Sequence, residues 1–165
     1  MKCKSNPSPG EARAAGHVPR LLVDAMLGRL ARWLRLVGYD AVYARDESDH
    51  RIAAWARAED RIVLTRDREL AHRRGIRCLL IEHQDVESQL EEVWQALGQP
   101  PADLEPRCPS CNATLQPIAS DEVRERVPPY VYRTHEQFRY CAHCDQVYWR
   151  GSHWEDVERT IDRLS

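Results

Sequence analysis

The chain is poor in lysine, in phenylalanine and in long apolar runs. Of its 24 basic residues only Lys2 and Lys4 are lysines, and all the others are arginine. Net charge is −2, so no overall basic field marks it as a protein that coats nucleic acid. No apolar run approaches the ~20 residues needed to span a bilayer. The opening MKCKSNPSPGEARAAGHVPR holds no apolar stretch able to serve as a signal peptide. Residues 1–18 are rich in Pro, Ser, Gly and Ala and read as a disordered leader. There is no internal repeat. What remains is ordinary for a globular protein, with 42% hydrophobic and 30% charged residues. Its 165 residues allow one domain with a core, or a small domain with an appendage. A cytoplasmic protein that does not engage a membrane is the expectation.

Cysteine is present in an informative pattern. The six are Cys3, Cys78, Cys108, Cys111, Cys141 and Cys144, and the last four form two Cys-x-x-Cys pairs, CPSC and CAHC. Two such turns offer four thiolates to one tetrahedral ion, which predicts a structural Zn²⁺ held by Cys108, Cys111, Cys141 and Cys144. A complete ligand set leaves no open position for catalysis. Disulfides are the alternative, and a reducing compartment argues against them. His143 falls inside the second pair and is expected beside the site or exposed. Cys78 sits in a strand as a small core residue, and Cys3 has no role.

Strand and helix signals alternate through the first hundred residues. Apolar strands are predicted at 21–23, 41–44, 62–64 and 76–81, with helices over roughly 25–37, 49–59, 68–74 and 86–97. Gly98 suits the end of the last helix. Alternation of this kind implies an α/β fold, a parallel sheet flanked by helices, and continuous apolar strands suit a sheet covered on both faces. GQPPADLEP (98–106) reads as a linker. The expected organisation is therefore a leader (1–18), an α/β domain (19–98), a linker (99–106), and a zinc ribbon with a Pro-Pro turn and a C-terminal helix (107–165).

Ligands of open α/β sheets bind beyond the carboxyl ends of the strands. Asp24 follows the first strand, Asp46 and Asp49 follow the second, and Asp67 of LTRDREL follows the third. Each precedes a helix, and aspartate is a favoured N-cap, so each has a structural reading. Together, several carboxylates on one edge repel one another unless cations gather there, and Mg²⁺ or Mn²⁺ suits such oxygen ligands. Arg29, Arg32 and Arg35 oppose the apolar face of the first helix, made by Leu27, Leu30, Ala31, Leu34 and Val37. With Arg45, Arg66 and Arg68 they form either a solvated face or a strip for phosphates. Tyr148, Trp149, Arg150, His153 and Trp154 crowd the stretch DQVYWRGSHW. They could stack on unpaired bases, but docking of the ribbon is the favoured reading of the tryptophans.

The stretches VDAMLGRLARWLR (23–35), LTRD (64–67), the two cysteine pairs and YWRGSHW (148–154) occur together. In that combination the chain resembles the Mut-seven C-terminal RNase domain family over about residues 20–160. The resemblance implies a PIN-like nuclease fold followed by a zinc ribbon. It implies a metal-dependent ribonuclease with Asp24, Asp67 and a middle acid, Asp49 before Asp46, holding Mg²⁺ or Mn²⁺. RNA is the implied partner, with Arg29, Arg32, Arg45, Arg66 and Arg68 as its contacts. Asp85, after the fourth strand, is the candidate fourth acid. The alternative is a non-catalytic RNA-binding module with a degenerate site.

Overall fold

The structure is a computed structural model that describes residues 18–101 and 103–164, without the side chains of Ser152, His153 and Leu164. The expected leader up to residue 17, Cys3 and the His153 side chain lie outside the described set.

Four short strands, β1 (Leu21–Asp24), β2 (Ala41–Ala44), β3 (Ile62–Thr65) and β4 (Arg77–Leu80), form a parallel sheet in the order β2-β1-β3-β4. Because β1 and β3 are central, Leu21, Leu22, Val23, Val63 and Leu64 are fully buried. Alternation along the strands sends Leu21, Val23, Ile62 and Leu64 to one face. There they pack on α1 (Gly28–Leu36) and α4 (Val86–Leu97). Leu22 and Val63 go to the other face, against Ile52 and Ala56 of α2 (Asp49–Glu59) and Leu70 of α3 (Arg68–Ala71). Gly98 ends α4 with a φ of 85° and donates its N–H to the Trp94 carbonyl.

The expected first helix is split. Residues Ala25–Leu27 make a single 3-10 turn, and α1 starts only at Gly28. The Asp24 carboxylate accepts the Ala25 N–H at 2.7 Å, and the Tyr43 hydroxyl donates to the Ala25 carbonyl at 2.8 Å. These bonds draw the chain away from a regular first turn. A Cβ at position 28 would stand 3.0 Å from the Tyr43 hydroxyl oxygen, so the close approach of β2 to this turn favours glycine. The third helix is shorter than the expected 68–74 and ends at Ala71, with Gly75 at φ 79° leading into β4.

A second sheet, β5 (Gln116–Ile118), β6 (Phe138–Cys141) and β7 (Gln146–Trp149), is antiparallel in the order β5-β6-β7. Between β5 and β6 lie two short helices, α5 (Ser120–Val123) and α6 (Pro129–Thr134). The expected Pro-Pro turn is the start of α6. Pro129 occupies its first turn, where a missing N–H costs nothing. The last helix, α7 (Ser152–Leu164), packs Val157 and Ile161 into the core that α1 and α4 share with the first sheet. No helix among the described residues is long and apolar enough to cross a membrane.

Candidate functional site

The first knuckle is built by local backbone chemistry. The Cys108 N–H donates to the Ala113 carbonyl, the Asn112 N–H donates to the Cys108 carbonyl, and Asn112 takes a left-handed φ of 70°. Asp145 turns the second knuckle with φ 52°. The two turns bring the sulfurs of Cys108, Cys111, Cys141 and Cys144 within 4.8 Å of one another. Cys111 and Cys141 lie 3.5 Å apart, and Cys108 and Cys144 lie 3.9 Å apart. A tetrahedron with Zn–S bonds of about 2.3 Å sets its sulfurs about 3.8 Å apart, so the cage fits a metal such as zinc. Burial opposes ionisation of Cys108, but the Tyr148 hydroxyl and the amides of Cys111 and Ser110 bring its thiol down to about 7. A hydrogen bond with Cys111, followed by burial and the other sulfurs, pushes Cys144 up to about 12. Four thiols this close need a cation before all can ionise. The cluster is consistent with a zinc ribbon, and its cysteines are free thiols. His143 is exposed. Cys78 is half-buried and packs against the second core cluster.

The knuckle is fastened to the end of the first sheet where the strands begin. Arg35, expected on an exposed strip, is instead 5% exposed. Its guanidinium donates to the Ala41 carbonyl at 2.8 Å, the Pro109 carbonyl at 2.8 Å and the Ser110 carbonyl at 3.2 Å. At the end of α1, the helix turns this side chain under the CPSC loop rather than toward solvent. Asn112 accepts the Ala41 N–H and donates to Asp40 at 2.7 Å. Asp40 also pairs with Arg61, itself 4% exposed, and with Arg20. Burial alone would raise the Asp40 carboxyl, but hydrogen bonds from Arg61 and Asn112, with the Arg61 charge, hold it near 2. Sequence reading missed this network. The pair of knuckle residues Ser110 and Asn112 carried no signal for it.

The acids lie at the opposite end of the sheet. Asp24 closes β1 and is in register with Ala44, the last residue of β2. Val23 is paired with Leu64, which puts Thr65 beside Asp24. The chain leaves β1 toward β2 and returns on its far side at β3, so Asp24 and Asp67 flank the switch point where ligands of such sheets bind. Thr65, fully buried, donates its hydroxyl to Asp24 Oδ2 at 2.6 Å and accepts the Asp67 N–H at 2.9 Å. Asp67 Oδ1 caps α3 by accepting from Glu69 N at 2.7 Å and Leu70 N at 3.3 Å. No hydrogen bond among the described residues ends on its Oδ2. Asp49 is exposed in the first turn of α2, and the cap is Ser48 rather than Asp49. Asp46 is exposed in the preceding turn, and Asp85 caps α4 through the Ser88 N–H. Thus Thr65 bridges Asp24 to Asp67, and no hydrogen bond links Asp46 or Asp49 to that pair. Among the described residues, the four cysteines are the one set of three or more Cys, His, Asp or Glu whose ligand atoms converge.

Arg29, Arg32, Arg45 and Arg68 are exposed, and Arg66 is half-buried. None of the five forms an ion pair among the described residues. Arg66 Nε is buried without a hydrogen-bond partner. It lines a depression of about 170 Å³ with Arg68, Leu80, Ile81 and Glu82 at the ends of β3 and β4.

In the ribbon, Trp149 packs against the cluster of Val123, Val127, Val131 and Phe138. Trp154 is half-buried and donates to Glu158 at 2.9 Å. A family model described as Mut7-C RNAse domain matches residues 19–161. No curated protein and no solved structure matches the chain.

Proposed function

The chain belongs to the Mut7-C RNAse domain family, and from that membership we propose that it is a metal-dependent ribonuclease that hydrolyses RNA phosphodiesters. The observation that carries this reading is the Asp24–Thr65–Asp67 hydrogen-bonded chain at the switch point of the sheet. A hydroxyl buried between two acids fixes the rotamer of the first and the backbone of the second, as preorganised ligands require. Asp67 keeps one carboxylate oxygen for an ion while the other caps α3. Asp49 completes the set from the start of α2, with Asp46 as its alternative. A divalent cation held there supplies Lewis acidity toward the phosphate and an activated water. Arg29, Arg32, Arg45, Arg66 and Arg68 bind the phosphates. The buried, unpartnered Nε of Arg66 supports this, because a buried N–H without an acceptor is costly until an anion arrives. The four-cysteine cage binds zinc and acts structurally. A cytoplasmic setting follows from the need to keep those thiols reduced.

A second reading, a non-catalytic RNA-binding module, is favoured by one observation. Among the described residues the acids do not form a converged group of three. Purified protein incubated with RNA and Mn²⁺ separates the two. Cleavage that disappears in Asp67→Asn supports the nuclease, while RNA retention without cleavage supports the module.

A further inference from the structure

We propose that the groove between residues 103–106, the edge of the second sheet and the start of α7 is a stacking pocket for one base of single-stranded RNA, remote from the acidic edge. This rests on the reading of RNA as the substrate and adds a second contact to it. The groove encloses about 180 Å³ and is lined by Tyr148, Trp149 and Trp154, with Arg139 and Arg150 beside them. Pockets for drug-sized ligands span ~300–1,000 Å³, so this one suits a single planar ring rather than a peptide or a folded partner. Both indoles are half-buried, which holds their rings in place while leaving a surface to stack on. Gly151 leaves the Trp149 indole open, since a Cβ there would come within 3.1 Å of its Nε1. The Arg150 guanidinium stands 5.8 Å from the Trp154 ring centre and extends the stacking surface.

Both arginines of the groove are already paired. Arg139 pairs with Glu105 at 2.8 Å, and Arg150 pairs with Glu158 at 3.3 Å. Recognition there runs through the base face rather than through phosphate, and is insensitive to salt. Phosphate contacts lie elsewhere on the same path. The helix α7 has 13 residues, about 20 Å of length, and its far end reaches Glu87 in the first turn of α4 through Arg163. That turn follows β4 at the acidic edge. Arg29 and Arg32 stand exposed on α1, which packs on α7 and runs between the same two ends. A strand anchored in the groove and led along α1 would meet these unpaired arginines on its way to Asp24 and Asp67.

The test uses the full chain carrying Asp67→Asn, with zinc-loaded cysteines and no added Mg²⁺ or Mn²⁺, so that no cutting interferes. The probe is a single-stranded RNA of about 12 nucleotides, within the size range of single-strand sites. In this background the indole N–H resonances of Trp149 and Trp154 should move on titration, while that of buried Trp94 stays. Replacing Trp154 by Leu, which keeps an apolar side chain, should weaken binding by about 10-fold, as expected for one lost stacked base. Indoles that stay still, or unchanged affinity in Trp154→Leu, overturn the proposal. A response to a proline-rich peptide and none to RNA also overturns it, in favour of peptide recognition. Loss of cleavage in the native protein with responsive indoles defeats only the nuclease reading. Silent indoles beside intact cleavage defeat only the groove.

Discussion

The Thr65 hydroxyl lies 2.6 Å from Asp24 Oδ2, and it accepts the Asp67 N–H on its other side. One buried oxygen therefore ties the end of β1 to the turn after β3. Thr65→Val keeps the volume and removes that tie. The Asp67 amide loses its acceptor, so stability should fall by about 1 kcal/mol. Activity with Mn²⁺ should fall by about 10- to 100-fold, the usual effect of losing a group that orients a metal ligand. Thr65→Ser should retain most of both. Urea melts and initial cleavage rates check this, and an active Val variant would detach Thr65 from the chemistry.

The bridge shows what the sequence could reveal and what it could not. Asp24 and Asp67 were legible as strand-end acids because hydrophobic periodicity locates strands and parallel pairing aligns their ends. The cysteine cage was legible because knuckle spacing is set by local backbone geometry. Thr65 was not, since a threonine ending an apolar strand is ordinary, and only the register of β1 with β3 brings it to Asp24. Arg35 was misread for a related reason. Helical periodicity put it opposite the apolar face, but the CPSC loop, 74 residues downstream, covers it. Contacts that far apart in the chain leave no local pattern.

Arg35→Leu should expose that dependence. The carbonyls of Ala41, Pro109 and Ser110 would lose their donor. A loss of about 2–4 kcal/mol is expected from several buried acceptors left unpaired. Denaturant unfolding followed by far-UV circular dichroism measures it. A variant as stable as the parent would show that the knuckle docks by other means.

Metal analysis should find one zinc per chain, and Cys108→Ser should lower it sharply. Chelation should also reach beyond the ribbon. Asn112 and Arg35 connect the knuckle to Ala41, so amide exchange should quicken at the start of β2 as well as at the cysteines, because metal binding and folding are linked. Protection at β2 that ignores zinc removal would contradict that coupling.

Asp40 sets an acid limit on stability. Its carboxyl is held near 2, against an ordinary value of 3.8. A depressed carboxylate contributes stability that is fully present above its unfolded value and is lost as pH falls toward the folded one. The contribution, on the order of 2 kcal/mol, should therefore fade between about pH 4 and pH 2. Asp40→Asn should flatten that part of the profile. It should also cost about 2 kcal/mol at neutral pH, because buried Arg61 loses one of its two carboxylate partners and keeps only Glu59. Thermal melts across pH for both proteins decide it, and parallel profiles would place the acid sensitivity elsewhere.

The most direct measurement for the acidic edge is a crystal of the zinc-loaded protein soaked in Mn²⁺, with the ions located by anomalous scattering. A manganese peak within ligand distance of Asp24 and Asp67, and of Asp49 or Asp46, is the expected result. An edge without manganese, with metal confined to Cys108, Cys111, Cys141 and Cys144, would contradict the proposed nuclease site.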